Sequence, residues 1–69
     1  MSRAIEQIVD AYVRYNNRTA LENLKSHRQK MLLDIRTRSS KFYDWGYLLG
    51  QIEDEIRSID AGLEKLQPR

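Results

Sequence analysis

The sequence predicts an all-α fold, and three observations carry that expectation. Glycine and proline are absent from residues 1–45, so nothing there forces a turn. Apolar residues make up 41% of the chain and charged residues 32%, too apolar for disorder and too charged for a membrane span. A run of eight apolar positions near the C-terminus recurs with the heptad period of a packed helix. The 69 residues make a single helical domain spanning 1–69. A chain this short buries only about 60% of its unfolded surface, so its core is marginal. There is no cysteine and only one histidine, His27, so disulfides and the usual zinc sites are excluded. Well-packed helices or oligomerisation must supply the stability instead.

Ile5, Ile8, Val9, Tyr12 and Val13 form one apolar stripe at helical spacing, and Leu21, Leu24, Met31, Leu32 and Ile35 form another. Between them lies Arg14-Tyr15-Asn16-Asn17-Arg18-Thr19. One reading makes helix one continuous over about 3–38. Val9, Val13, Asn16, Ala20, Leu24, His27, Met31 and Ile35 then form an unbroken stripe with a stutter. Glu6, Asp10, Arg14, Arg18 and Glu22 follow at four-residue steps on another face. The alternative is a three-helix bundle with a break near Asn16-Asn17. In that case Thr19 and Glu22 form a capping box that starts a new helix. The continuous helix is favoured, because asparagine lowers helix propensity without breaking a helix.

Helix two is expected over about 41–66. Phe42, Trp45, Leu49, Ile52, Ile56, Ile59, Leu63 and Leu66 step alternately by three and four, with Phe42, Leu49, Ile56 and Leu63 at a and the others at d. Ser39 or Ser40 is the expected N-cap, and Pro68 stops the helix near Gln67. Asp44-Trp45-Gly46 also suits a turn, which would start the helix later. Gly46 and Gly50, four apart, either make room for the neighbouring aromatics or leave a notch beside Trp45.

Together the two helices make an antiparallel hairpin. A two-helix hairpin cannot enclose a core, and the overhanging Ile5, Ile8, Val9 and Tyr12 would face water. Two hairpins joined as a homodimeric four-helix bundle resolve both problems. The expected interface is Ile5, Ile8, Val9, Tyr12, Leu24, Met31 and Ile35 with the eight seam residues. Charge fits the hairpin: residues 25–41 carry a net +5 and residues 42–69 a net −3. A turn at 38–41 sets Arg28 and Lys30 level with Glu55 and Glu53, and Lys25 near Asp54 or Arg57.

The chain shows no catalytic constellation, cofactor box or phosphate-binding loop, and no small-molecule substrate is evident. His27 has no partner within local reach, and the run Glu53-Asp54-Glu55 fans around its helix. The expected function is therefore a small non-enzymatic protein-protein interaction module, an adaptor, regulator or inhibitor. Its candidate contact residues are Arg36, Arg38, Lys41, Tyr43 and Tyr47 at the hairpin end, where few facing acids are expected. The alternative is a nucleic-acid-binding regulator using the same bases and aromatics. The N-terminal stripe has a charge-balanced polar face, unlike a membrane-surface helix. With neither an apolar leader nor a spanning segment, the expected location is the cytoplasm.

Overall fold

Two adjacent asparagines decide how the chain turns. The computed structural model describes residues 3–38 and 45–66, which form helices α1 (Arg3–Arg14), α2 (Arg18–Arg38) and α3 (Gly46–Lys65). Between α1 and α2, Asn16 takes a left-handed backbone conformation, φ 52°. The Asn17 N–H donates to the Tyr12 carbonyl at 2.8 Å, and the Asn16 N–H donates to the Val13 carbonyl at 3.0 Å. This pair of bonds is the Schellman motif, which satisfies carbonyls orphaned at a helix C-terminus. Asn17 then opens the next helix, its Oδ1 accepting from the Ala20 N–H at 3.1 Å.

The continuous helix over 3–38 is thereby corrected to two helices. Asparagine is the residue besides glycine that most readily enters the left-handed region, and it is also a strong N-cap. Two in succession end one helix and start another within three residues. The break falls where the three-helix alternative puts it, but the cap is Asn17 rather than Thr19, which lies inside α2. The second helix is also corrected at its start. Trp45 is the residue before it and makes no side-chain cap bond, so α3 begins at Gly46 instead of about 41. Ser39, Ser40 and Phe42 lie outside the described residues.

α2 and α3 run antiparallel and share the largest interface; α1 packs mainly on α3 and more lightly on α2. The core joins all three: Ile5 and Val9 from α1, Leu21 from α2, and Ile59 with Leu66 at the end of α3. Leu21 and Ile59 are wholly buried. Ile5 and Val9 do not face water, as the two-helix reading requires; α1 folds back and covers them within the chain. Ile8 stays 41% exposed and Tyr12 is half-buried. On the seam, the d residues Ile52, Ile59 and Leu66 are buried, while Trp45, Leu49, Ile56 and Leu63 are half-buried. Leu24, Met31 and Ile35 are half-buried too.

The close approach of α1 to α3 occurs at Gly62. A Cβ there would overlap Val9 Cγ1 and lie 3.2 Å from Val13 Cγ2. Both valines are β-branched and stiff, so they cannot swing aside cheaply. Gly50, by contrast, faces open space. The glycine that matters for packing is therefore Gly62, and at Gly50 the described residues show neither a notch nor a crowded neighbour.

These sites yield opposite expectations for the same substitution. Gly50→Ala stabilises the chain by about 0.5–1 kcal/mol through helix propensity alone. Gly62→Ala destabilises it by about 1–3 kcal/mol, because overpacking against Val9 outweighs propensity. Urea unfolding of both variants measures the two signs. At the corner, Asn17→Ala costs about 1 kcal/mol and Asn17→Asp restores most of it. Asn16→Gly is neutral or stabilising, whereas Asn16→Val costs more than about 1 kcal/mol.

Candidate functional site

The hairpin end proposed from the sequence is only partly within the described residues. Arg36 and Arg38 close α2, and Tyr47 opens α3; Lys41 and Tyr43 lie outside them. Tyr47 is 78% exposed, and its hydroxyl accepts a hydrogen bond from Gln51 Nε2 at 3.1 Å, one helical turn on. Trp45 sits half-buried beside it.

The two arginines do meet acids, against expectation. Arg36 Nη2 lies 3.9 Å from Glu53 Oε2 across the helix pair, and Arg38 Nε lies 3.1 Å from Asp34 Oδ1 on its own helix. All four side chains are largely exposed, so each pair contributes at most about 1 kcal/mol and leaves its cation reachable. Asp34 lies one turn back on the same helix, outside the across-hairpin pairing that the charge pattern gives.

Further down the pair, Arg28 Nε meets Glu55 Oε1 at 3.2 Å and Lys25 Nζ meets Asp60 Oδ1 at 2.7 Å. The Arg28–Glu55 bridge is the one the charge pattern predicts. Lys25 instead reaches Asp60 rather than Asp54, and Glu53 takes Arg36 rather than Lys30. Asp54 pairs with Arg57 on α3 itself. The three consecutive acids thus diverge to three different arginines, as 100° steps around a helix require. Among the described residues no group of three or more acids or histidines could hold a metal ion. His27 is exposed, and its Nδ1 accepts from Arg28 Nη1 at 3.1 Å. No described helix is long and apolar enough to cross a membrane.

An open groove of about 490 Å³ runs between α1 and α3, bordered by Ile5, Glu6, Asp54, Glu55, Arg57 and Ser58. Its carboxylates at 54 and 55 are occupied by Arg57 and Arg28. It is a shallow mixed surface without convergent unpaired groups at those two positions. Comparison with family models, with curated proteins and with solved structures found no match.

The heptad's a positions have their own place in the fold. Asp60 and Glu53 share one flank of α3, seven residues apart, and Ile56 lies between them. Gly62, which meets α1, lies about 200° from Asp60 around the helix. Leu49, Ile56 and Leu63 therefore lie on the side of α3 turned toward α2, half-buried between the Arg28–Glu55 bridge and the Lys25–Asp60 and Arg36–Glu53 bridges, and Leu63 packs against the core cluster. Leu33 on α2 stands 64% exposed. The heptad shows in the burial: the d residues Ile52, Ile59 and Leu66 are buried, and the a residues Leu49, Ile56 and Leu63 are half-buried beside them.

The inter-helix ion pairs set the α2–α3 register, which a double-mutant cycle can read. Arg28→Ala and Glu55→Ala are expected to couple by a few tenths to about 1 kcal/mol, whereas Lys30 and Glu53 couple within error. Thermal unfolding of the single and double variants checks both.

Proposed function

We propose that the chain is a non-enzymatic helical protein-protein interaction module, acting in the cytoplasm as a homodimer and serving as an adaptor, regulator or inhibitor. The observation that carries this reading is a surplus of surface. The chain exposes 5588 Å², whereas a folded monomer of its mass exposes about 4,500 Å². Its radius of gyration is 13.5 Å, against about 11 Å for a compact domain of this length. That surplus goes with an elongated shape, 47 × 20 × 13 Å. Exposed Tyr47 and the two arginines at the end of α2 supply side chains of the kind most often energetic at interfaces.

The neutralised arginines weigh toward protein rather than phosphate as the ligand. Phosphate binders accumulate unopposed bases on one face; here Arg28, Arg36 and Arg38 each stand beside a carboxylate.

Affinity capture from native lysate with the intact chain as bait, with and without nuclease, tests the reading. A discrete protein retained equally in both arms, and weakened when Arg38→Ala is combined with Tyr47→Ala, is expected. Loss of all captured material on nuclease treatment contradicts it, as does capture of nothing.

A further inference from the structure

We infer that the Asn16-Asn17 corner is a hinge through which two copies of this chain exchange α1. In the exchanged form α1 and α2 join as one straight helix over 3–38, and each α1 docks on α3 of the other copy. This exchange rests on the interaction-module reading and gives its homodimer a structure. It requires no uncovered face, because the α1–α3 contact that closes one chain is the contact that joins two.

The described residues separate a part that moves from a part that stays. α2 and α3 are tied by three ion pairs, Lys25–Asp60, Arg28–Glu55 and Arg36–Glu53. Among the described residues, Glu6, Asp10 and Arg14 of α1 form no ion pair with either helix. Apolar contacts hold α1: Ile5 and Val9 join the core cluster, and Val9 and Val13 seat on Gly62. The α3 of a second copy offers an identical seat, so α1 finds the same contacts in either form.

The difference between the forms therefore lies in the corner. Its three residues, Tyr15, Asn16 and Asn17, are all exposed, so no packing holds the bend. Three hydrogen bonds hold it: the Asn17 N–H donates to the Tyr12 carbonyl, the Asn16 N–H to the Val13 carbonyl, and the Ala20 N–H to Asn17 Oδ1. In a straight helix the same three N–H groups meet the carbonyls four residues back, at Val13, Tyr12 and Asn16. Straightening also releases Asn16 from its left-handed φ of 52°. Neither glycine nor proline interrupts residues 1–45, and the stripe Val9, Val13, Asn16, Ala20 and Leu24 continues across the corner at helical spacing. Asparagine suits both forms, since it enters the left-handed region readily and is tolerated inside a helix. Glycine would favour the bend, and alanine the straight helix. The short corner keeps α1 beside its own α3 at an effective concentration in the millimolar range. The closed chain is accordingly the dilute form, and the exchanged dimer the concentrated one.

Sedimentation equilibrium on the full chain, from micromolar to millimolar, reads the exchange. The wild-type chain is expected to pass from 8.2 kDa toward twice that mass within this range. Asn16→Ala is expected to lower the dimer dissociation constant at least about 100-fold, about tenfold at each of two hinges, and to stay helical by far-UV circular dichroism. Asn16→Gly is expected to raise the constant at least about tenfold. A second measurement adds Glu6→Cys and Ser58→Cys, which border the α1–α3 groove, to the Asn16→Ala chain, whose native sequence has no cysteine. A short bis-maleimide then joins them. A closed chain links within itself, whereas the exchanged dimer links across copies and runs as a covalent dimer, which is the expected result.

A wild-type monomer at every concentration overturns the inference. So does an Asn16→Ala chain that stays monomeric or loses its helix, and so does a shift of the same sign for Asn16→Ala and Asn16→Gly. A dimer whose cysteines link only within each chain also overturns it, while the homodimer of the interaction-module reading then stands on another contact. If a monomer captures a different protein, the exchange falls and the interaction-module reading stands without self-association.

Discussion

Position 62 sets the distance between α1 and α3, and the core depends on that distance. With no Cβ at Gly62, the Val9 side chain can seat directly on the α3 backbone, with Val13 beside it. α1 then lies close enough for Ile5 and Val9 to join Ile59 and Leu66 in one buried cluster. Gly62 costs helix propensity of about 1 kcal/mol, which the buried valine contacts offset. The Asn16-Asn17 corner supplies the matching constraint of direction. It reverses the chain within three residues and delivers Leu21 to the same cluster. Glycine fixes how near the helices come, and the corner fixes which helices meet.

The same geometry limits what one chain can cover. α1 has 12 residues, whereas α2 and α3 have 21 and 20, so α1 spans little more than half of its neighbours. It also occupies one flank only. The adjoining flank is covered by α2, with ion pairs along both borders and half-buried leucine and isoleucine between them. The charged residues orient the helix pair rather than hold it together. Their exposure keeps each bridge weak, yet three bridges between helices of opposite net charge disfavour every other pairing.

Much of this was legible in the sequence, and what was missed has physical causes. The all-α composition, the antiparallel α2–α3 pair and the Arg28–Glu55 bridge follow from periodicity and charge, which are properties of single helices and their faces. The break was read too weakly, because the i,i+4 charge series through Arg14 and Arg18 is compatible with a helix without requiring one. Low helix propensity is only part of what Asn16 and Asn17 bring; their roles as left-handed terminus and N-cap act together. Gly62 was invisible because its importance lies in a contact with Val9, far away in sequence. Gly46 and Gly50 drew attention through their spacing, though Gly50 meets nothing. Of the hairpin-end residues, Arg36, Arg38 and Tyr47 are placed near the ends of α2 and α3, and their partners Glu53, Asp34 and Gln51 needed the register and the helix faces to be known.

The most direct measurement of the account is the nuclear Overhauser contact between the Val9 methyls and the Gly62 α-protons in the intact protein. A strong cross-peak there, with the Asn16 backbone showing left-handed couplings, is the predicted result. A continuous run of helical amide contacts from Arg14 through Leu21, with no Val9–Gly62 cross-peak, would contradict it.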